Sequence, residues 1–114
     1  MVKKDKKFNV VAAIKNEKVV GGIIFTRKKP DFVYIDLIGV SPEFWGKGIG
    51  TKLIKNIKKF FPKTKKLALV VRRANLPAIL FYEKLGFEIT DFTQPGYSRT
   101  HFVGMENKPT TIQA

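Results

Sequence analysis

Three glycines at alternate positions, Gly46, Gly48 and Gly50, stand between an apolar run ending at Val40 and a run of helical periodicity. Glycine has no Cβ, so the backbone can turn tightly there and let a ligand approach its N–H groups. A helix starting directly afterwards adds unpaired N–H donors and the positive end of its dipole. The chemistry on offer is capture of a phosphate or pyrophosphate. Two familiar phosphate motifs do not fit. The P-loop needs four residues between its first glycine and Gly-Lys-Ser/Thr, a spacing that Gly46 to Thr51 does not supply. The dinucleotide fingerprint needs G-x-G-x-x-G with an acidic residue about 20 positions on, whereas this chain reads G-x-G-x-G without one.

Composition narrows the remaining chemistry. There is no cysteine, which excludes disulfides, thiolate metal sites and a cysteine nucleophile. A single histidine, His101, cannot build a histidine zinc centre, so no metal is expected. At 114 residues, 44% of them hydrophobic, the chain suits one globular domain, ordered over about 8–106 with a loose tail from Asn107. No apolar run approaches the ~20 residues that span a bilayer. The lysines at the start (Lys3, Lys4, Lys6, Lys7) lead into strand-like residues and not into a signal-peptide core. A cytoplasmic protein without membrane partners is expected. The formal charge of +13 leaves two readings open, solvated lysine-rich faces or an anionic partner.

The elements that must position the glycine turn follow from periodicity. Phe8 to Lys15 and Lys18 to Thr26 are rich in Val, Ile and Phe around Asn16-Glu17 and predict a hairpin. Gly21-Gly22 within the second run suggests a bulge or a close backbone approach. Arg27 to Asp31 reads as a polar turn. Phe32 to Val40 reads as a central strand covered on both faces, with Asp36 its one acidic residue. From Gly48 to Phe61, Ile49, Leu53, Ile54, Ile57, Phe60 and Phe61 recur at three- and four-residue steps opposite lysines, a helix that Pro62 stops. A short strand over 67–72 follows. Asn75 and Pro77 begin a second helix, with Leu76, Ile79, Leu80 and Leu85 as its apolar stripe and Gly86 as its C-terminal cap. Phe87 to Phe92 and Arg99 to Glu106, joined by Gln94-Pro95-Gly96, close the chain. The order is β-β-β-α-β-α-β-β, with a right-handed crossover through the first helix. That is a mixed α/β sheet.

Residues 72–88 (Arg-Arg-Ala-Asn-Leu-Pro-Ala-Ile-Leu-Phe-Tyr-Glu-Lys-Leu-Gly-Phe-Glu) resemble the signature of the GCN5-related N-acetyltransferases, the acetyl-CoA-dependent GNAT family. The signature reads Asn, two residues, Ala, three residues, Tyr, then Lys-Leu-Gly-Phe. Val40 to Leu53 resembles the family's pyrophosphate motif, and the likeness covers roughly residues 10–106. The resemblance implies acetyl transfer from acetyl-CoA to a primary amine. Backbone N–H groups of Gly46, Lys47, Gly48, Ile49, Gly50 and Thr51 would hold the CoA pyrophosphate, with Trp45 leading into them. The strand edge at Ile38, Gly39 and Val40 would pair with the pantetheine arm, Gly39 suiting the family's bulge. A backbone N–H near Ile38 would polarise the thioester carbonyl. Asn75 would hydrogen-bond the cofactor, and Tyr82 would face the sulfur.

With no cysteine to form an acetyl-enzyme, transfer is expected to be direct, by alignment of amine and thioester. Tyr82, at about 10, would protonate a thiolate whose conjugate acid lies near about 8.5, uphill by roughly 2 kcal/mol. It serves as an acid only if its surroundings shift it or the transfer is late; otherwise it orients the sulfur by a hydrogen bond. Asp36 stands where many family members carry a glutamate base. Being one methylene shorter, it would work through water. An α-amine needs less help from a base than a lysine amine does, so the former is favoured slightly.

Two features depart from the family pattern. Trp45 replaces the usual Gln or Arg, as in the Trp-Gly-Lys-Gly variant of the ribosomal-protein N-acetyltransferase branch, and a side-chain contact to the cofactor is lost with it. The chain also reads as starting at the family's second strand, without the first strand and two helices of the acceptor wall. That leaves an open acceptor site, one completed by another chain such as a second copy, or a module that binds CoA without catalysis. A basic nucleic-acid binder, with helix lysines on phosphates, is the weakest alternative.

Overall fold

The structure, a computed structural model, describes residues 8–107. The lysine-rich start and the residues after 107 lie outside the described residues. The element order is the one expected, β-β-β-α-β-α-β-β, with one short 3-10 turn added. The chain divides into two compact units after Thr64.

In the first unit, β1 (Asn9–Lys15) and β2 (Lys18–Lys29) form the expected hairpin. Asn16 and Glu17 close it with φ of 52° and 65°. Two successive left-handed residues make the turn whose twist matches antiparallel strands. Gly21 is a place of close backbone approach, as its sequence context suggested. A Cβ there would stand 2.9 Å from the Gly39 carbonyl and 3.3 Å from Ile49. The register slips beside it, with Val20 as the extra residue.

β2 runs past the expected turn, and only Pro30-Asp31 separates it from β3 (Phe32–Val40). Arg27 and Lys29 pair with Val33 and Phe32. The cations stay in the strand because rings lie beneath them. The Arg27 guanidinium is 4.6 Å from the Phe61 centroid, and Lys28 Nζ is 5.6 Å from that of Tyr34. β3 is not covered on both faces throughout. Val33, Tyr34 and Ile35 are buried, but Leu37 is 61% exposed. The change comes at a bulge: Phe25 and Ile24 pair with Ile35 and Leu37, leaving Asp36 unopposed. The bulge is therefore at Asp36, whereas Gly39 pairs in register with Gly22.

α1 (Ile49–Phe60) starts and stops within a residue of the expected helix. It buries Leu53, Ile54 and Ile57 against the strand face that carries Ile23 and Phe25. The Phe25 ring meets Phe60 and Phe61 edge-on at 5.5 and 6.1 Å. Phe60, expected in the core, keeps about half of its surface in water because it sits at the end of the apolar stripe.

In the second unit, β6 (Phe102–Asn107) lies antiparallel between β4 (Lys66–Arg72) and β5 (Glu88–Thr90). Asn107, expected in the tail, is the last residue of β6 and pairs with Leu67. Both final strands are shorter than expected, and His101 falls in a turn before β6. Local bonds take residues 91–101 out of the sheet. Phe92 N–H donates to Thr90 Oγ1 at 3.2 Å, and Arg99 Nη2 donates to the Asp91 carbonyl at 2.9 Å. The turn at Gln94-Pro95-Gly96 is present, closed by Tyr97 N–H on the Gln94 carbonyl at 3.1 Å. α2 (Leu76–Lys84) buries Ile79 alone, while Leu76 and Leu80 are exposed. The expected four-residue stripe is thus narrower, because Tyr82 and not Leu80 shares the inward face with Ile79. Asn107 Nδ2 donates to the Leu85 carbonyl at 3.1 Å and fastens the end of this helix.

Ile57 is fully buried. Ile57→Ala is expected to cost about 2–5 kcal/mol in urea unfolding, against under about 0.5 kcal/mol for Lys58→Ala on the exposed side of α1.

Candidate functional site

The first unit builds the glycine turn in three steps. β3 ends at Val40, and Ser41 N–H donates to the Val20 carbonyl at 2.8 Å, holding the chain to β2. Pro42–Phe44 then form a single 3-10 turn, closed by Phe44 N–H on Ser41 O at 2.8 Å and Trp45 N–H on Pro42 O at 3.1 Å. Finally the Trp45 indole reaches back, its Nε1–H donating to the Val40 carbonyl at 2.7 Å. The ring is 66% exposed, so its role here is to hold the loop closed rather than to fill a core. The sequence suggested only that a cofactor contact was lost at Trp45. Ser41-Pro42, a common helix start, was the available signal for the extra turn.

Gly46 and Gly48 adopt φ of 77° and 82°, a conformation that side chains rarely take. A Cβ on either would meet nothing within 4 Å, so the space beside this backbone is open. Gly50 differs. It lies buried within α1 and serves packing instead of turning. The first helical bond runs from Lys52 N–H to Gly48 O at 3.1 Å. The N–H groups of Ile49, Gly50 and Thr51 therefore have no carbonyl within the helix. No side chain caps them, and no acidic residue occupies the first turn. Lys47 and Lys52 flank them. Donors, dipole and lysines all favour an anion.

Asp36 belongs to other surroundings. Thr26 Oγ1 donates to its carboxylate at 2.7 Å. Thr26 follows Phe25, which faces α1, so Thr26 and the Asp36 carboxylate lie on the opposite face of the strands. The first unit thus brings Ile38, Gly39, Val40, Trp45 and the glycine turn together and leaves Asp36 on the other side of the sheet. Thr26 was missed in the sequence, where a lone threonine in an apolar run is ordinary strand composition.

The second unit holds Asn75 and Tyr82 on one helix. Asn75 is the N-cap of α2, its Oδ1 accepting from Ala78 N–H at 3.2 Å. Its amide Nδ2 has no partner among the described residues, so it retains donors for a ligand. Tyr82 lies two helical turns further on, half-buried, with Phe81 and Phe87 at centroid distances of 5.4 and 6.0 Å. Burial raises the phenol above its ordinary value of 10.0 by disfavouring the charged form. That shift is opposite to the one that would make Tyr82 a better acid. His101 is exposed in its turn, its Nδ1 3.3 Å from Ser98 Oγ, and joins none of these groups.

A mixed α/β protein with an open, donor-rich strand–turn–helix joint is the class these features define. A profile described as the acetyltransferase (GNAT) family matches residues 2–87, and the chain belongs to that family. Similar solved structures include the PaiA N-acetyltransferase of Thermoplasma acidophilum in complex with coenzyme A, at 24% identity and a TM-score of 0.74. The match covers 90% of this chain, which spans only 61% of PaiA. Another is the ribosomal-protein-S18-alanine N-acetyltransferase of Escherichia coli, at 22% identity and a TM-score of 0.69, covering 93% of this chain and 72% of that one. Arabidopsis thaliana Naa50, in complex with a bisubstrate analogue CoA-Ac-MVNAL, is 30% identical with a TM-score of 0.68. That match covers 87% of this chain and 72% of Naa50. No functionally curated protein sequence matches the chain. Among the described residues, no helix is long and apolar enough to cross a membrane.

The raised Tyr82 phenol has a consequence for stability. Folded and unfolded chains both keep this proton below pH of about 10, so the group makes no pH-dependent contribution there. Above that value the unfolded chain loses the proton first, and stability falls until the folded phenol ionises too. Urea midpoints measured from pH 8 upwards are expected to fall less steeply above pH of about 10 in Tyr82→Phe than in the parent.

Proposed function

We propose that the protein transfers an acetyl group from acetyl-CoA to a primary amine, directly and without an acetyl-enzyme. The glycine turn carries this reading: two left-handed glycines beside open space, followed by helix N–H groups that nothing in the helix satisfies. Family membership and the CoA-bound neighbours support reading the anion as the pyrophosphate of CoA.

In this reading the N–H groups from Gly46 to Thr51 hold the pyrophosphate, aided by Lys47. Backbone groups at Ile38, Gly39 and Val40 align the pantetheine arm, Val40 with its carbonyl already shared with Trp45. Asn75 Nδ2 donates to the cofactor. Bound acetyl-CoA would supply an activated acetyl thioester. The N–H near Ile38 would polarise the carbonyl of that thioester, and the strand edge and glycine turn would hold it in line for direct attack by the amine, with the thiol of CoA as leaving group.

Tyr82 acts by donating a hydrogen bond to the departing sulfur. Its raised phenol makes full proton transfer to a thiolate less favourable than the roughly 2 kcal/mol deficit of an ordinary tyrosine. Asp36, whose carboxylate the Thr26 hydroxyl holds on the strand face opposite α1, is the base this reading assigns, and that separation makes a water relay to the amine necessary. The acceptor that suits a relayed carboxylate best is an α-amine, at about 7.7–8, rather than a lysine amine at about 10.4.

Calorimetry with acetyl-CoA, combined with release of free thiol in the presence of α-amine peptides and lysine peptides, tests the proposal. Saturable binding and thiol release with the α-amine peptides are expected. Binding without release from any amine would leave a CoA-binding module, and absence of binding would refute the reading. Gly48→Ala forces a side chain into φ of 82° and is expected to weaken acetyl-CoA binding by about tenfold or more. Tyr82→Phe, which removes one hydrogen bond, is expected to lower kcat about tenfold. A loss of 10²–10⁴ would mean proton transfer instead.

A further inference from the structure

α1 runs for 12 residues, about 18 Å, and its two ends differ in chemistry. The glycine turn stands at the start. The last turn carries Lys58 and Lys59, followed by Phe60, Phe61 and a tight turn that contains Lys63. Thr64 closes that turn, its N–H and Oγ1 both donating to the Phe61 carbonyl, at 3.0 and 2.7 Å. The chain has no acidic residue between Glu43 and Glu83, so nothing along α1 offsets these charges. Cations at a helix C-terminus are favoured by its dipole, which accounts for Lys58 and Lys59 as structural residues. It does not account for the neighbouring strand.

β2 brings Arg27 to the same place, its guanidinium 4.6 Å from the Phe61 centroid. The ring covers one face of the exposed guanidinium, and the N–H donors have no hydrogen-bond or ion-pair partner among the described residues. A planar fork held on a ring with its edges free matches the geometry of a phosphate. The nearest acidic residue in sequence, Asp31, lies beyond it in the β2–β3 turn and makes no ion pair with it. Phe60 stands next to the covered ring, 6.3 Å between centroids, and 48% of its surface is open to water. Lys58, Lys59 and Lys63 flank the two rings in the chain, all exposed and without an ion-pair partner among the described residues.

A basic surface alone fits any polyanion. An open ring beside a phosphate-matching fork fits unpaired nucleotides in particular, since a base stacks on the ring while its backbone meets the cations. Acidic side chains have no such face to stack, and an anionic bilayer asks for a broader apolar surface than one half-open ring. We propose that the C-terminal end of α1, together with Arg27 of β2, binds single-stranded nucleic acid. A phosphate sits in the Arg27 fork, the adjoining base stacks on Phe60, and Lys58, Lys59 and Lys63 meet neighbouring phosphates. The site shares no residue with the glycine turn, is independent of acetyl transfer and needs no acetyl-CoA.

The test uses fluorescein-labelled oligo(U) and oligo(dT) of about ten nucleotides, read by anisotropy, with a duplex of the same length, poly-glutamate and phosphatidylserine vesicles as rival ligands. Saturable binding is expected, tighter for single strands than for the duplex and unchanged by acetyl-CoA; the ratio of the two single strands tells RNA from DNA. Four cations on phosphates give a slope of about −3 in log affinity against log salt, and Lys59→Ala is expected to reduce it by about 0.7. Phe60→Leu keeps an apolar group against Phe25 and removes the stacking face, and is expected to weaken binding about fivefold or more. Arg27→Lys keeps the charge, loses the fork and is expected to weaken it as well, whereas Lys18→Ala at the far end of β2 leaves it unchanged. Full affinity in both Phe60→Leu and Arg27→Lys, displacement by acetyl-CoA, or equal or tighter binding of any rival ligand would overturn the proposal. So would absence of binding by protein with an unchanged circular dichroism spectrum.

Discussion

The first turn of α1 leaves three backbone N–H groups without a carbonyl to meet, and the surrounding architecture makes that state tolerable. A buried helix start would need a capping side chain. Here Gly48 supplies none, and the donors stay open towards solvent or a ligand. Holding them open requires two glycines in a conformation that other residues avoid, and it requires the loop before them not to collapse. The bonds from Ser41 to Val20 and from the Trp45 indole to Val40 meet the second requirement. The helix itself is held by Leu53, Ile54 and Ile57, so the donor end does not have to contribute to its stability.

The two ionisable residues named for chemistry sit in contrasting settings. Asp36 occurs where a bulge interrupts the pairing of β2 and β3, and a threonine hydroxyl orients its carboxylate. An extra residue in a strand re-aims the side chain that carries it, which is a common way to present a polar group from a sheet. Tyr82 is packed between two phenylalanines on a helix and keeps its proton more firmly for that reason. The carboxylate is placed by hydrogen bonding and the phenol by packing.

What was legible in the sequence was local. The limits of α1 followed from periodicity and Pro62, and Asn75 and Gly86 marked the ends of α2 through their capping chemistry. The paired motifs around Gly46–Thr51 and Asn75–Phe87 pointed to the acetyltransferase family. The features that escaped depend on contacts that residue type and periodicity do not announce. β2 continues through Arg27 and Lys28 because Phe61 and Tyr34 lie against them, and Pro30 marked the turn better than the charges did. Trp45 looked like a lost ligand contact, since nothing nearby in sequence announced that Val40 would receive its N–H. The family resemblance suggested the bulge at Gly39, but register places it at Asp36.

In the second unit the backbone of Phe92 crosses β6 so closely that a Cβ on Gly104 would run into its carbonyl. The segment that begins there is tied at its base by Arg99 to the Asp91 carbonyl and by Arg73 to the Arg99 carbonyl. Between those ties the chain is a short arch whose crown, at Pro95 and Gly96, bonds only to its own neighbours. Crown and base therefore face different evolutionary rules. The crown can lengthen, shorten or change its chemistry without disturbing the strands, while the crossing at Gly104 admits no side chain at all. Descendants of this sequence can diversify at that arch and keep the same sheet.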